Sequence, residues 1–307
     1  MSILVFGHKN PDTDTICSAI AYAELKGKLG KDVKAVRLGE VNEETKFVLD
    51  YFKVEKPELI ESVSGKEIML VDHNERTQTA DGFEEAKVLE LVDHHRISNF
   101  NVDEPLYVRM EPVGCTATII LKLFKENNLL PSPTTAGLML SAIVSDTLLF
   151  KSPTCTGCDV KAGKELAEIA GVNVEEYGLE MLKAGTALGG KSESELINMD
   201  MKIFEVDGSK IGVAQVNTVN EAELLERKEK LLEEINNIIN KEGLKFFIFA
   251  ITNILSNDSI GIVAGDGNAV IEKAFNEKID NNLIALKGVV SRKKQIIPPL
   301  TKAIQEA

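Results

Sequence analysis

Positive charge is scarce in this sequence of 307 residues. It contains 35 Lys and Arg against 48 Asp and Glu, which gives a formal net charge of −13 at neutral pH. A surface that coats nucleic acid or binds an acidic membrane needs a basic field. The charge balance therefore argues against both kinds of partner, and an anionic substrate would have to be attracted by bound metal and a local basic cluster.

The sequence also lacks a long hydrophobic run. No apolar segment approaches the roughly 18 to 20 residues of a transmembrane helix, and Met1–Leu4 leads straight into a predicted strand without a basic leader or cleavage site. We therefore expect no membrane partner and a cytoplasmic location.

Cysteine is used sparingly, with four residues in the chain. Cys17 and Cys115 lie in predicted helices among small residues, where they are expected to be core. Cys155 and Cys158 form a single C-x-x-C, and a structural zinc site would need a second pair or a nearby histidine. We predict free thiols in a loop, with a zinc or redox role as the open alternative.

Histidine is equally rare, yet its placement is highly ordered. The four histidines follow the ends of three apolar segments, Ile3–Gly7, Ile68–Val71 and Val88–Val92. Parallel strands present functional groups at the carboxyl edge of their sheet. The residues delivered there are His8, Asp72, His73, Asp93, His94 and His95, and a cluster of this type indicates a metal site.

Three further aspartates are candidate ligands. Asp12 and Asp14 lie on the predicted loop between the first strand and a helix, where the alternative role is to cap that helix. Asp146 ends an apolar helix that begins at Pro133, and such a carboxylate is unfavourable unless it is solvated, paired or coordinated.

The order of the predicted elements indicates two α/β domains with the active site in the cleft between them. Strands and helices alternate in the first half, which favours a doubly wound, mainly parallel sheet in residues 1–187. Gly and Ser residues mark a flexible linker at 188–194. The smaller C-terminal domain, 195–307, is predicted to contain a hairpin at Asp207-Gly208 and one long helix from Val219 to Lys241.

The basic run Arg292-Lys293-Lys294 has two interpretations. Three adjacent charges usually form a solvated surface patch. Apolar residues predicted to be in strands flank this run on both sides, at Val289-Val290 and Ile296-Ile297, and should hold it in place. A fixed run of this kind is suited to binding phosphate oxygens.

Two histidines and four aspartates from four of these segments give six nitrogen and oxygen ligands, which is more than one ion needs if it is to keep open positions. Such a donor set suits Mn²⁺, Co²⁺ or Mg²⁺ better than structural zinc. Two ions about 3.5–4 Å apart are a common arrangement for phosphoryl hydrolysis. The sequence therefore predicts a metal-dependent phosphohydrolase.

With these motifs in place, the chain resembles the manganese-dependent family II inorganic pyrophosphatases of the DHH phosphoesterase superfamily. The resemblance covers essentially the whole chain in order. The motifs that carry it are Gly7–Asp14, Val71–Asn74, Asp93–His95, Ser145-Asp146 and Ser291–Gln295.

The resemblance implies hydrolysis of pyrophosphate to two orthophosphates by a homodimer formed through the N-terminal domain. It implies His8, Asp12 and Asp72 on one Mn²⁺ and Asp14, Asp72, His94 and Asp146 on a second, with a further Mg²⁺ or Mn²⁺ arriving with substrate. His95 would face the substrate and assist the leaving group, Asp93 would hold the cluster, and Lys202, Arg292 and Lys293 would bind pyrophosphate. His73 is either an outer residue of the cluster or simply a polar residue of the crevice.

Two alternatives are open, the first an enzyme of the same superfamily and the second a protein of another class. A superfamily relative acting on short polyphosphate or short oligonucleotides would share the first motifs. The nucleases of the superfamily, however, carry a glycine-rich, His-containing C-terminal motif, and this chain has no histidine after His95. A catalytically silent scaffold would be expected to have lost one or two ligands, whereas the predicted set is intact.

Overall fold

The computed structural model describes residues 2–186, 188 and 190–306. It consists of two compact units, Met1–Gly185 and Thr186–Ala307. Ala187, at the predicted end of the first domain, and Gly189, in the predicted linker, lie outside the described residues, as do Met1 and Ala307. Each unit has its own sheet, and the division falls between Gly185 and Thr186, ahead of the predicted linker at 188–194.

Unit 1 is built on six parallel strands in the order β3-β2-β1-β4-β5-β6. Apolar side chains such as Val5, Leu70 and Leu91 are buried along the central strands, as expected for a parallel sheet covered by helices. The strands are β1 (Ile3–Phe6), β2 (Val33–Arg37), β3 (Glu58–Leu59), β4 (Glu67–Val71), β5 (Lys87–Asp93) and β6 (Tyr107–Met110).

Six α-helices complete the described part of unit 1, and several of them start at a side-chain cap. The helices are α1 (Thr13–Lys28), α2 (Glu43–Tyr51), α3 (Thr116–Glu126), α4 (Pro133–Asp146), α5 (Gly157–Ala170) and α6 (Val174–Gly185). Asp12 caps α1 by accepting from the Thr15 N–H. The helix thus begins at Thr13, so the prediction that Asp14 lies on the preceding loop was wrong: Asp14 is in the first helical turn.

Unit 2 contains a mixed five-stranded sheet in the order β11-β10-β9-β8-β7. Its strands are β7 (Lys202–Val206), β8 (Ser209–Thr218), β9 (Phe246–Asn253), β10 (Asp258–Gly265) and β11 (Leu283–Leu286). Among the described strands of this sheet, only β8 and β9 pair in parallel. Alternate residues of β9 enter two separate cores, Phe247 and Phe249 in one and Phe246 and Ile248 in the other, so both faces of the sheet are covered.

The helices of unit 2 correct several sequence predictions. They are α7 (Glu193–Asn198), α8 (Glu221–Leu225), α9 (Lys228–Glu242), α10 (Asn268–Phe275) and α11 (Ile297–Gln305). The prediction of a single long helix from Val219 to Lys241 was wrong. The chain leaves helical geometry at Arg227, whose guanidinium binds Glu193 and the carbonyl of Lys191.

The basic run near the C-terminus also differs from its prediction. The segment Arg292–Ile296 forms a π-helical turn that continues directly into α11, rather than lying between two strands. Ser291 caps the turn by accepting from the Lys294 N–H. The polar cap and the buried Ile296 hold this turn in place.

All four cysteines are free thiols in the described part of the chain. Cys17 lies within α1, whereas Cys115 is the N-cap residue of α3 rather than part of it. Cys158 lies in the first turn of α5, so its predicted loop position was wrong. Among the described residues, no helix combines the length and apolar character needed to cross a bilayer.

Candidate metal centre

The candidate ligands meet at the carboxyl edge of the unit 1 sheet. Strands β1, β4 and β5 are neighbours in that sheet. His8, Asp72 and His94 each follow the end of one of them, so the parallel arrangement brings residues distant in sequence together. The helix ends at Asp12 and Asp146 add two further carboxylates.

Asp72 lies at the centre of this cluster. Its Oδ2 is 3.7 Å from His8 Nε2, and its Oδ1 is 3.4 Å from His94 Nε2. His8 Nε2 is also 3.3 Å from an Asp12 carboxylate oxygen, and His94 Nε2 is 3.7 Å from one of Asp146. The two oxygens of Asp72 therefore face two different sets of donors.

The Asp72 carboxylate is held by hydroxyl groups from two helices. Thr15 Oγ1 donates to Oδ2 over 2.7 Å, and Thr116 Oγ1 donates to Oδ1 over 3.1 Å. The residue has a φ of 59°, a left-handed conformation that is uncommon outside glycine. Such backbone conformations concentrate at functional sites, where surrounding contacts hold them.

A third group of donors consists of Asp14, Asp146 and Cys115. One donor atom of each lies within 4.8 Å of the others. Asp14 is fully buried and accepts from Ser18 Oγ over 2.5 Å and from the Thr116 N–H over 2.7 Å. Burial, followed by the charge of Asp14, raises the pKa of the Cys115 thiol well above its ordinary value.

Main-chain carbonyls orient two of the imidazoles. His94 Nδ1 is 3.0 Å from Val113 O, and His73 Nδ1 is 2.9 Å from Val71 O. Because a carbonyl only accepts, each Nδ1 carries the proton, and in the neutral ring Nε2 is left with a lone pair. His94 Nε2 points to the carboxylate cluster, whereas His73 Nε2 is buried without a hydrogen-bond partner among the described residues.

The carboxylates repel one another strongly. Burial, with the nearby charge of Asp14, raises the pKa of Asp72 to about 7 against the opposing effect of His94. The same two causes raise the pKa of Asp146 well above its ordinary value. Burial alone would lower the pKa of His94, but its hydrogen bond with Asp72 and the surrounding negative charge raise it to about 9. The cluster therefore has an excess of negative charge that a cation would neutralise.

The donor types fit divalent metal ions. Imidazole nitrogens and carboxylate oxygens are the types that bind Mn²⁺, Co²⁺ and Mg²⁺. Among the described residues the donors form three groups, two of which share Asp72: one contains His8 and Asp12, and the other contains His94 and His95. The residues that could hold metal are His8, Asp12, Asp14, Asp72, His94 and Asp146.

His95 and Asp93 form a hydrogen-bonded pair at the edge of the cluster, where His95 Nδ1 also lies 3.7 Å from Asp72 Oδ1. The His95 side chain is 52% exposed, and its Nδ1 lies 2.9 Å from Asp93 Oδ1. This hydrogen bond raises the pKa of His95. Burial favours a higher pKa for the Asp93 carboxyl, but the hydrogen bonds from His95 outweigh burial and lower this pKa. His95 is thus accessible from solvent while Asp93 is buried beneath it.

The predicted anion-binding residues all lie in unit 2. Lys202 is exposed at the start of β7, and Lys293 is exposed in the π-helical turn. The Arg292 side chain is only 10% exposed, and its Nη1 lies 2.9 Å from a carboxylate oxygen of Asp200. In this structure the guanidinium is therefore already paired with a carboxylate.

Sequence reasoning overlooked several residues that support the cluster. Thr15 and Thr116 were not singled out, and Cys115 was interpreted only as core. The motif Val71–Asn74 includes Asn74 but predicts no role for it, although its amide donates to Asp93 over 2.6 Å. The polar residues adjoining the motifs were the available signal, but hydroxyl and amide side chains are too common in loops to indicate such contacts by themselves.

Comparison with protein families first defines the class. A model of the N-terminal domain of the DHH family matches residues 2–143, and a model of the DHHA2 domain matches residues 179–303. The chain is therefore a DHH protein with a C-terminal DHHA2 domain.

Relatives matched over nearly their full length then identify the family. A protein of Exiguobacterium sp. strain AT1b is 59% identical over 304 residues, 98% of each chain. One from Bacillus cereus is 55% identical over 305 residues, 99% of each chain. Both are named manganese-dependent inorganic pyrophosphatase. The present chain belongs to this family.

Solved structures agree with this family. A Methanococcus jannaschii protein described as a family II inorganic pyrophosphatase has a TM-score of 0.63 and 43% identity, covering 99% of this chain and 100% of that one. An exopolyphosphatase-related protein of Bacteroides fragilis, at 14% identity and a TM-score of 0.52, covers 99% of this chain and 92% of its own. The second match supports the fold alone.

Proposed function

We propose that this chain is an inorganic pyrophosphatase that hydrolyses diphosphate to two orthophosphates. The observation that carries the proposal is the Asp72 carboxylate, whose two oxygens face His8 and His94 at 3.7 Å and 3.4 Å. A carboxylate placed between two donor sets is suited to bridging two cations. The full-length relatives named for the same activity support the choice of substrate.

The proposed cofactor is Mn²⁺, two ions per subunit, with Co²⁺ or Mg²⁺ able to replace it and a further Mg²⁺ or Mn²⁺ entering with substrate. His8, Asp12 and Asp72 would hold one ion, and Asp14, Asp72, His94 and Asp146 the other. When bound, the two metal ions would supply positive charge and lower the pKa of a water molecule, as two-metal phosphohydrolases require.

Residues of the chain would donate a proton to the leaving group and hold the metal-binding carboxylate in place. His95, exposed and hydrogen-bonded to Asp93, can donate a proton to the departing phosphate oxygen. Asp93 keeps the His95 ring oriented and stabilises its protonated form. Thr15 and Thr116 fix the Asp72 carboxylate so that it need not reorganise when substrate binds.

The anion itself would be bound by Lys202, Arg292 and Lys293 of unit 2. The overall charge of −13 repels a diphosphate, so binding depends on such local cations. Arg292 can form forked hydrogen bonds with phosphate oxygens, whereas the two lysines supply point charge.

A homodimer formed through unit 1 and a cytoplasmic location complete the proposal. Strand β6 is an edge of the unit 1 sheet, and its Tyr107 and Val108 are 43% and 46% exposed. An exposed edge strand with apolar side chains is a surface that a second copy can cover. The free thiols are consistent with a reducing compartment. We propose neither a nucleic acid nor a membrane as partner.

A substrate panel tests the function. Phosphate release by the Mn²⁺-loaded protein would be compared for pyrophosphate, tripolyphosphate, a dinucleotide and p-nitrophenyl phosphate, and repeated with Mg²⁺. Pyrophosphate should be hydrolysed far faster than the others. Equal or faster turnover of the dinucleotide would contradict the proposal, as would equal turnover of tripolyphosphate.

A further inference from the structure

We propose that Asn74 is a positioning residue for His95. It acts through Asp93 and through the loop after β5, which carries His94 and His95. This inference rests on the proposed pyrophosphatase function, in which His95 faces the substrate. Asn74 follows β4, immediately after Asp72 and His73, whereas His95 follows β5. One amide therefore connects the ends of two neighbouring strands at the metal-binding edge.

The Asn74 side chain is buried, at 3% exposure, and both ends of its amide are used. Its Nδ2 donates to Asp93 Oδ2 over 2.6 Å and to the carbonyl of Arg96 over 2.9 Å. Its Oδ1 accepts from the N–H of Ser98 over 2.8 Å. These three bonds fix the loop on both sides of His95.

Asp93 transmits this restraint to the imidazole. Its Oδ2 is bound by Asn74, while its Oδ1 accepts from the His95 N–H over 3.0 Å and lies 2.9 Å from His95 Nδ1. Each carboxylate oxygen therefore has a different task. Because Asn74 holds one oxygen, the carboxylate cannot rotate freely, and the other oxygen is kept in line with the ring.

His95 depends on this restraint more than a buried ring would. Its side chain is 52% exposed, so core packing does not fix its orientation. The hydrogen bond from Nδ1 to Asp93 selects the tautomer and leaves Nε2 available to a reacting group. Small errors in the placement of a proton donor reduce turnover even when substrate still binds.

An asparagine is chemically matched to this position. It donates to a carboxylate and a carbonyl while accepting from a main-chain N–H, which requires a donor and an acceptor on one short side chain. An aspartate of the same shape would offer only acceptors at neutral pH. It would therefore lose the bonds to Asp93 and Arg96 and place a second negative charge against Asp93.

The test compares Asn74→Asp and Asn74→Ala with the control Asn173→Ala. Asn173 also binds main-chain N–H groups, those of Glu175 and Glu176 at the start of α6, and so controls for loss of a structural amide. Both Asn74 variants should lower kcat for pyrophosphate by roughly 10- to 100-fold, as is usual when an outer hydrogen-bond partner is removed. KM and Mn²⁺ affinity should change by less than about threefold, and the control should keep full kcat.

Histidine NMR of the Mg²⁺-loaded protein gives a readout independent of turnover. The chain has four histidines, so each imidazole can be followed separately. Both Asn74 variants should shift the ring signals of His95 and leave those of His8 in place. Unchanged kcat in both variants, or unmoved His95 signals, would overturn the inference, and so would a fall in kcat that only follows loss of Mn²⁺. If the unaltered protein fails to hydrolyse pyrophosphate, the proposed function fails, while the NMR experiment still decides whether Asn74 positions His95.

Discussion

The metal-free protein should lose stability as the pH rises, because of Asp72. Its pKa is raised from the ordinary value of 3.8 to about 7 in the folded protein by burial and by the charge of Asp14. Between these two values the folded state binds more protons than the unfolded state, so stability falls with increasing pH and levels off above the folded pKa. At about 1.4 kcal/mol for each pKa unit, the full shift corresponds to a loss on the order of 4 kcal/mol, which Asp72 shares with the carboxylates that interact with it.

This loss is large enough to measure directly. For a domain of about 150–250 residues, it corresponds to roughly 8–16 °C in Tm. The assay is urea or thermal unfolding of chelator-treated protein at about pH 5.5 and about pH 8. Because this interval starts well above the unfolded pKa, it contains about half of the loss, roughly 2 kcal/mol or 4–8 °C in Tm, with the lower stability at the higher pH. Saturating Mn²⁺ should restore stability at the higher pH, because it binds the folded state and neutralises the carboxylates.

Two variants isolate the effect of this carboxyl group. Asp72→Asn should reduce the pH dependence of the metal-free protein and abolish both metal retention and activity, whereas Asp103→Asn, at an exposed position, should leave all three unchanged. Equal stability of the unaltered metal-free protein at both pH values would refute the electrostatic reasoning. A pH dependence that survives in full in Asp72→Asn would exclude Asp72 as its source.

Three other predictions concern ion pairs in the two units. Arg292→Ala should weaken pyrophosphate binding about tenfold or more, because a charged hydrogen-bond donor is lost, and should leave Mn²⁺ binding intact. Selective loss of Mn²⁺ in a titration would contradict the role of Arg292 in binding the anion. Asp200→Asn should tighten pyrophosphate binding roughly two- to fivefold, because the Asp200 carboxylate competes for the same guanidinium in a partly exposed pair; an unchanged KM would show that the pair does not compete. Glu90→Gln should destabilise the protein by about 3 kcal/mol at neutral pH in urea unfolding, because it removes the buried partner of Lys26 and Tyr22. Burial favours a higher pKa for Glu90, but Lys26 and Tyr22 outweigh burial and lower this pKa. The stability that Glu90 contributes is therefore present above its unfolded pKa and is lost as the pH falls through its folded pKa. A destabilisation by Glu90→Gln that does not decrease in acid would refute this assignment.

The sequence was sufficient to predict the strand ends that carry the candidate ligands. Apolar strands followed immediately by His8, Asp72 or His94 have one natural arrangement, a parallel sheet with those residues at one edge. The α/β fold in both halves follows from the same alternation of elements. These signals are strong because they depend on local sequence and on the general geometry of parallel sheets.

Features that depend on long-range contacts could not be predicted in this way. The break at Arg227 depends on contacts with Glu193 and Lys191, more than thirty residues earlier. The grouping of Cys115 with Asp14 and Asp146 depends on where three helix ends meet. By contrast, the start of α7 has a local signal, since Ser192, in the predicted linker, forms a capping box with Glu195, the first residue of the predicted C-terminal domain.

The left-handed backbone of Asp72 limits which residues could ever replace it. Glycine adopts such a conformation freely but has no side chain, and glutamate keeps the carboxylate but is disfavoured in that conformation. Asparagine tolerates the backbone yet lacks the charge. No single substitution therefore preserves both requirements, and evolutionary drift at this position should be almost completely blocked.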